Sequence, residues 1–524
     1  MLDVNNNLHL QIATRMLEFF YRDVPWNRSL WSPGLRIQLL EVLESSEAVQ
    51  AGALHTAALQ HFCSLVLPLA VNDQGVGDSR AKAVIDAALK QGKLLYHSAD
   101  YYSLEMLARD LGQHYLSRWA KHLRDTPNPS VERAARSIAA HLLDLGFDSD
   151  FLHQWWTYRI THEAGNKTLA DLVDEADAMS QEAPRRWDAL VAFEALPTRG
   201  GIPNGWLDSP RVHAWLTANN FLVEGVRQNG GLELSVTARD PYAAVAVIRE
   251  RLDAISARVA LTITGRLRVV NKVWIRGQDD PFDLYRLRHR AEIHSLRKER
   301  QLYSVAEENS LLDSAIALMQ PVNGGNLSAA ISGAWGAVET LLYSPGDGDR
   351  VTAGDRMATI VACSFPRAEL TAIAHNIDAG TPLGARVAGI NENKAKAREV
   401  ALAIQTNPND PITVTRTIDV ASLARIKKIA ASPSNGLRDV QGHLSGAFRR
   451  LYRSRNLILH WGRVGGDIRR CCLRTTGPLI GAGVDRIAHS WLIEGLHPLG
   501  LASRATASLT SIKQGGANLV DLLE

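Results

Sequence analysis

Residues 437–461 read LRDVQGHLSGAFRRLYRSRNLILHW and are followed by Gly462-Arg-Val-Gly-Gly466. The first segment predicts one long, arginine-rich helix, and the glycines after it predict where the helix ends, because glycine is a poor helix former. The sequence on both sides also favours helices. We therefore predict a mostly α protein.

The helical region around this segment extends from about residue 281 to residue 524. Apolar residues recur within it at helical spacing. A polar segment at residues 406–417, rich in Thr, Asn and Pro, predicts a loop between two helices. The other helical patterns cover residues 311–319, 327–342, 355–363, 367–375 and 486–496.

The first 195 residues also read as helical throughout, and the segment PTRGGIPNG at 197–205 predicts a linker. Beyond it, residues 232–237, 259–264 and 267–275 resemble strands, whereas residues 241–255 predict a helix. The predicted organisation is an N-terminal helical domain with a possible sensor or regulatory role (1–196), a small α+β module (206–278) and a C-terminal helical region (281–524) with a core at about 310–500.

Length and composition exclude several classes of protein. A chain of 524 residues is too long for one compact core. Its 46% hydrophobic and 22% charged residues are ordinary for a globular protein. No segment has the roughly 20 apolar residues that span a bilayer, and the first residues lack the features of a secretory signal. We therefore expect a cytoplasmic protein with no membrane partner.

The sequence gives no support for a cofactor or a metal. The cysteines at positions 63, 363, 471 and 472 lack zinc-ligand spacing and are too few for a disulfide framework. We expect them to be reduced and structural; a redox pair at 471 and 472 is the alternative. The chain has no GxxxxGK[ST], HExxH or GxSxG motif. We therefore expect no cofactor and no metal.

Positive charge is concentrated in two segments, although the net charge is only +3. One spans residues 286–300 and the other spans residues 438–474, where acids are few. Arginine suits phosphate recognition because its planar guanidinium offers paired donors. The alternative is a solvated helix face, or arginines paired with acids elsewhere. For residues 438–474 we expect that alternative to be the weaker one, because local acids are missing.

The segment LYRSRNLILHWG at residues 451–462 places arginine, an amide and histidine on one short helical stretch. At 100° per residue, Arg453, Asn456 and His460 share one face. Arg455 lies about 140° around the helix from His460. It could join the same site only through its long side chain, a distortion near the helix end, or a second copy of the chain.

These residue types fit the cleavage of RNA without a metal. The ribose 2′-hydroxyl is the nucleophile, so the site needs a proton acceptor or donor and positive charge for the transition state. Histidine exchanges protons near neutral pH, and oriented arginine supplies the charge. Asparagine can orient the histidine or bind a phosphate oxygen.

The run from Arg455 to His460, RNLILH, resembles the motif of the HEPN superfamily, in which arginine and a polar residue precede a histidine late in a helical bundle. Its flanks, FRRLYR before it and WGR after it, fit the same pattern. Upstream, AWGAVETLL at residues 334–342 resembles an early HEPN helix. The combination is most similar to the ApeA-like branch found in prokaryotic antiviral proteins, and it covers residues 310–500.

The resemblance implies a C-terminal HEPN-like bundle with a metal-independent ribonuclease site, formed by a homodimer through this bundle, whose cleavage leaves a cyclic phosphate. It makes Arg455 the ligand of the phosphate and transition state, His460 the acid/base residue and Asn456 their polar partner. HEPN spacings vary, so Arg453 also fits the arginine position. We favour Arg455, since asparagine is the commoner following residue.

Further residues are assigned to the site in supporting roles. Arg453, Arg449 and Arg463 are predicted to bind the substrate. Glu339 could reach the site from the first helix of the bundle; the alternative is a surface glutamate, or one that pairs with an arginine such as Arg449.

The expected function is a toxic effector of bacterial antiphage defence that cuts cellular or phage RNA. A phage-derived trigger would release it, and the upstream domains would sense that trigger or restrain the site. The rival is a non-catalytic HEPN-like bundle that binds RNA or docks a partner. A DNA-binding regulator is a more distant alternative, because no helix-turn-helix stands out.

Overall fold

The protein is mostly helical, as a computed structural model shows, and the predicted fold class of mostly α with a small α+β module is confirmed. None of the helices in the described residues has both the length and the apolar character needed to cross a membrane. The predicted linker at 197–205 falls outside the residues that the structure describes, except for its last position. The structure describes residues 7–523 except 163–166, 196–204, 223, 224, 226, 263–266, 286–290, 306–309, 464 and 516.

The regular elements follow one another in three groups along the chain. The first is α1 (Asn7–Phe20), α2 (Leu35–Gln50), α3 (Thr56–Val71), α4 (Ser79–Leu89), α5 (Ala99–Asp125), α6 (Val131–Asp144), α7 (Ser149–Thr161) and α8 (Leu169–Gln181). The second is β1 (Arg185–Ala195), β2 (Trp206–Leu207), α9 (Ser209–Ala218), β3 (Gly230–Ala238), α10 (Pro241–Thr262) and β4 (Arg268–Ile275). The third is α11 (His294–Lys298), α12 (Leu311–Gly324), α13 (Leu327–Leu342), α14 (Val351–Ala374), α15 (Pro382–Ala388), α16 (Asn393–Thr406), α17 (Thr417–Ala431), α18 (Pro433–Trp461), α19 (Asp467–Glu494) and α20 (Pro498–Lys513).

Contacts divide the chain into two compact units. The sheet lies in the unit formed by Leu145–Trp155 and Ala178–Arg288. The other unit combines Met1–Asp144, Trp156–Asp177 and His289–Glu524. Helices from both ends of the chain therefore share one helical unit, in which α1 packs on α17 and α2 packs on α19.

The sheet has the strand order β2-β3-β1-β4 and is antiparallel throughout. Its central strand β1 is fully buried from Ala189 to Phe193. Helices cover both faces, because α10 packs against Val191 and Phe193 whereas α9 packs against Leu190 and Ala192. A strand buried on both sides is continuously apolar instead of alternating.

The core of the helical unit brings α13, α14 and α18 into close contact. Trp335 on α13 is fully buried, and its ring lies 4.7 Å from the ring of Tyr452 on α18, measured between centroids. Gly354 on α14 makes this approach possible: a Cβ atom there would lie 3.2 Å from both the Trp335 ring and the Cβ of Phe448. This packing fixes the position of α18 within the unit.

A network of buried charges joins the first helices to the later ones. Glu369 on α14 is fully buried and accepts hydrogen bonds from Asn27 at 2.8 Å and from Arg425 at 2.8 Å. Arg28, which is also buried, donates to Asp419 on α17 at 2.6 Å. Each ion is paired because a buried unpaired charge is strongly unfavourable.

The structure confirms some predicted elements and corrects others. Helix α13 has the predicted bounds, and the predicted loop at 406–417 separates α16 from α17. Three predictions are wrong. Residues 259–262 continue α10 instead of starting a strand, Arg185–Ala195 is a strand instead of a helix, and the helix predicted at 486–496 begins at Asp467 and is followed by α20.

The physical reasons for these differences are local. The apolar run in β1 cannot be distinguished from a buried helix by periodicity alone. Helix α19 contains Pro478 and three nearby glycines, Gly477, Gly481 and Gly483, which disfavour a helix in isolation. In the folded chain these glycines lie among buried neighbours: a Cβ atom on Gly483 would lie only 2.1 Å from the Met357 sulfur. Tertiary packing therefore overrides propensity here.

We predict that the free energy of unfolding falls as the pH drops below about 4.5. Burial disfavours ionisation of Glu369, but Arg425 and Arg28 outweigh it and lower the pKa of this carboxyl from its ordinary value of 4.5. A lowered folded-state pKa gives stability that is present above the unfolded pKa and is lost as the pH falls through the folded one. The limiting slope for one such group is about 1.4 kcal/mol per pH unit.

The measurement is urea unfolding from pH 7 to pH 3. Glu369→Gln lowers stability at pH 7 and reduces the slope below pH 4.5. Equal slopes in the two proteins would contradict the assignment of this carboxyl.

Candidate functional site

The predicted motif occupies the last three turns of α18. The helix ends at Trp461, because Gly462 adopts a left-handed conformation with φ 67° and donates its backbone N–H to the carbonyl of Leu457. Glycine reaches that conformation without a steric penalty. Helix α19 then begins at Asp467 and packs against α18. The motif therefore lies beside the turn of a helical hairpin.

Burial separates the residues of the motif into two groups. Arg453 and Leu457 are buried, whereas Arg455 and Asn456 are half-buried and His460 is exposed. The imidazole of His460 is therefore accessible to a molecule that approaches the end of the helix.

Arg455 and Asn456 are in contact on α18, and His460 lies one turn beyond Asn456. The Arg455 guanidinium donates from Nη1 to Oδ1 of Asn456 at 3.0 Å. Asn456 and His460 are four residues apart and therefore neighbours on the helix surface. The Arg455 side chain is therefore directed towards Asn456, on the face of the helix that also carries His460.

Arg455 differs from the arginines around it in having no carboxylate partner within the described part of the chain. Three other arginines of the helix each pair with an acid from a distant segment. Arg449 binds Asp355 on α14 at 2.6 Å, and Arg450 binds Glu41 on α2 at 2.7 Å. Arg453 pairs with Glu44 on α2.

Arg453 is buried and has a structural role. Its side chain is 1% exposed. The guanidinium donates to Glu44, to the hydroxyl of Ser45 at 2.6 Å and to the carbonyl of Glu41 at 3.1 Å. A phosphate cannot reach a guanidinium in this environment, so the geometry favours Arg455 as the arginine of the motif.

Glu44 holds two arginines at once, since Arg469 on α19 also pairs with it. Burial raises the pKa of this carboxyl, but Arg453 and Arg469 outweigh burial, so the pKa is lowered from its ordinary value. One carboxylate of α2 therefore connects α18 to α19 and fixes the hairpin whose end carries the motif.

The other predicted site residues are half-buried or exposed and pair with residues of opposite charge. Arg463 binds Glu47 on α2 at 2.6 Å, and its guanidinium lies 3.9 Å from the centroid of the Trp461 ring. Arg449, which binds Asp355, is half-buried. Glu339 pairs with Arg350 at 3.4 Å and not with Arg449. Of the predicted supporting residues, Arg463 is adjacent in sequence to the exposed end of α18.

The expectation that the arginines of residues 438–474 lack acidic partners is therefore wrong for most of them. The acids come from the other end of the chain, chiefly from Glu41, Glu44 and Glu47. These three glutamates are spaced three residues apart, which places a stripe of carboxylates on one side of α2. The spacing of these three glutamates was the feature of the sequence that could have indicated acidic partners for the arginines. The sequence does not show which arginines they pair with.

The remaining sequence predictions about chemistry concern cysteines and metals. All four cysteines are free thiols, and Cys471 and Cys472 are buried. Burial raises the pKa of Cys472 from its ordinary value. Within the described ranges no group of three His, Cys, Asp or Glu side chains could hold a metal ion.

Comparison with known proteins yields no relative. The chain matches no protein-family model, no curated protein and no solved structure.

We predict that mutation of Arg453 destabilises the protein far more than mutation of Arg455, although the two arginines are only two residues apart. Arg453→Gln leaves Glu44 buried beside one arginine fewer, so we expect the free energy of unfolding to fall by about 3–5 kcal/mol. Arg455→Gln breaks only a partly exposed hydrogen bond, and its effect should stay within about 1 kcal/mol. Urea unfolding at pH 7 measures both. Similar losses in the two variants would show that the assignment of structural and free arginines is incorrect.

Proposed function

We propose that the protein is a metal-independent endoribonuclease that uses Arg455, Asn456 and His460. The observation that carries the proposal is the guanidinium of Arg455, which has no carboxylate partner among the described residues. The arginines at 449, 450 and 453 of the same helix are neutralised by acids, whereas Arg455 hydrogen bonds to the neutral Asn456. Asn456 lies one turn before the exposed His460.

The chemistry follows from these two side chains. The 2′-oxygen of a ribose attacks the adjacent phosphorus, loses its proton, and forms a cyclic phosphate as the bond to the 5′-oxygen breaks. The leaving 5′-oxygen takes up a proton. His460 exchanges protons in this reaction, and Arg455 stabilises the negative charge that builds up on the phosphoryl oxygens. Asn456 positions the guanidinium through its Oδ1.

A second protomer completes the proposed site. One histidine cannot be base and acid in a single concerted step, whereas two facing copies of His460 supply both. The exposed position of His460 and of its neighbour Leu459, which is 54% exposed, is compatible with such a homodimer through the C-terminal bundle. The contact between Trp335 and Tyr452 also supports the HEPN-like reading, since it joins the two sequence segments that carry the resemblance.

The biological role rests on the resemblance to ApeA-like antiviral proteins. We propose a cytoplasmic effector that degrades cellular or phage RNA after a phage-derived trigger is sensed. The buried contacts of α2 with α18 and α19 favour a regulatory part for the N-terminal helices, because a displacement of α2 would release four arginines around the motif.

The rival function is a non-catalytic bundle that binds RNA or docks a partner. One observation favours the docking form of this rival: several arginines predicted to bind substrate are engaged in salt bridges, which reduces the positive charge available to a nucleic acid. A measurement of cleavage separates the two functions.

We predict that the purified protein cleaves labelled single-stranded RNA in the presence of EDTA and leaves a 2′,3′-cyclic phosphate. His460→Ala and Arg455→Ala should each lower the cleavage rate by at least about 100-fold, because they remove proton transfer and charge stabilisation. Arg438→Ala is the matched control. This exposed arginine lies on the same helix and hydrogen bonds only to Asn435 within the described residues.

Cleavage that persists in folded His460→Ala protein would exclude the proposed chemistry. RNA binding without cleavage in the wild type would favour the scaffold instead. The same variants, expressed in bacteria challenged with phage, test the defensive role: protection and RNA fragmentation should disappear together in His460→Ala and remain in Arg438→Ala.

A further inference from the structure

Three arginines from three helices meet on a side of the helical unit remote from the motif. They are Arg367 on α14, Arg486 on α19 and Arg504 on α20; we call them the arginine triad. The three helices pack against one another, and Cys363, one turn before Arg367, donates from its sulfur to the carbonyl of Ala505 at 3.4 Å. This contact sets the register between α14 and α20 beside the triad.

The triad has too few acids for its charge. Glu494 is shared by two of its members: it lies 2.7 Å from Arg504 and 4.0 Å from Arg486. Asp485 is a second acid close to Arg486, although its Oδ1 accepts a hydrogen bond from the backbone of Ser295 at 2.7 Å, so these two carboxylates face three arginines. Arg367 is half-buried and has no hydrogen-bond or carboxylate partner in the described part of the chain.

The surroundings of Arg486 make this excess of charge unfavourable. Its side chain is 30% exposed. Burial lowers the pKa of Arg486 from its ordinary value; Glu494 and Asp485 oppose this shift, whereas Arg367 and Arg504 add to it. His489, one turn before the end of α19, adds a polar ring that lies 3.7 Å from Glu299. Like charges held together in a partly buried position attract an anion, because it relieves their repulsion.

We propose that the arginine triad binds a small phosphate-bearing anion. Guanidinium groups from three directions offer forked donors that match the oxygens of a phosphate group. The site is separate from the proposed ribonuclease site: Arg486 is 19 residues beyond Asp467, the first residue of α19, which corresponds to about 28 Å along a helix. A bound anion would join α14, α19 and α20. The proposal does not depend on the proposed function.

The test is calorimetric titration of the full-length protein with inorganic pyrophosphate at constant ionic strength. We expect saturable binding to one site per chain. Arg367→Gln should weaken it by about tenfold, since it removes one charged hydrogen-bonding group. Glu494→Gln should strengthen it, because the carboxylate that competes for Arg486 and Arg504 is removed. Arg109→Gln, at an exposed arginine on α5, should leave it unchanged.

The outcomes separate cleanly. A loss in Arg367→Gln together with a gain in Glu494→Gln supports the site, provided that both variants unfold at the wild-type temperature without pyrophosphate. Absence of saturable binding in the wild type overturns the proposal, as does equal binding by all four proteins. If Arg367→Gln fails to fold, Glu494→Gln decides alone, and unchanged or weaker binding in that variant overturns the proposal.

Discussion

The carboxylate of Glu44, buried between Arg453 and Arg469, is the contact on which the arrangement of the proposed site depends. Removing three charges from water is unfavourable unless they pair closely. The pairs therefore require α2, α18 and α19 to meet in one register. Together with the packing of Leu457 against Ala48 and Leu54, this requirement determines where the end of α18, and with it Arg455 and His460, lies.

The same run of sequence consequently contains two kinds of arginine. One side of α18 is a structural seam of arginines paired with glutamates of α2, and another edge carries Arg455, which has no carboxylate partner among the described residues, together with Asn456 and the exposed His460. The dense arginine content of this helix reflects the seam more than a surface for nucleic acid. The number of arginines in the helix does not show which of them are structural. The presence or absence of an acidic partner for each arginine does.

How far the sequence predicted the structure depends on how local each feature is. Spacing alone located α13 and the loop after α16, and it placed Asn456 and His460 on one face. Spacing failed to predict β1, because its apolar run fits a buried helix as well as a buried strand. It also led to the prediction that Arg453 binds the substrate. The partner of Arg453 is 409 residues away in sequence, so no local pattern could reveal it. The hydrogen bond between Arg455 and Asn456 likewise depends on a side-chain conformation that residue spacing does not determine.

The distance in sequence between Glu44 and Arg453 also has a consequence for synthesis of the chain. At a translation rate of about 5–20 residues per second, roughly 20–80 s separate the appearance of the two residues. During that interval α2 can pack on α3 and α5, but Glu44 has neither Arg453 nor Arg469 to pair with. The buried ion pairs that position the end of α18 therefore form only after both parts of the chain have been made, and the N-terminal helices fold first with the carboxylate of Glu44 still unpaired by these two arginines.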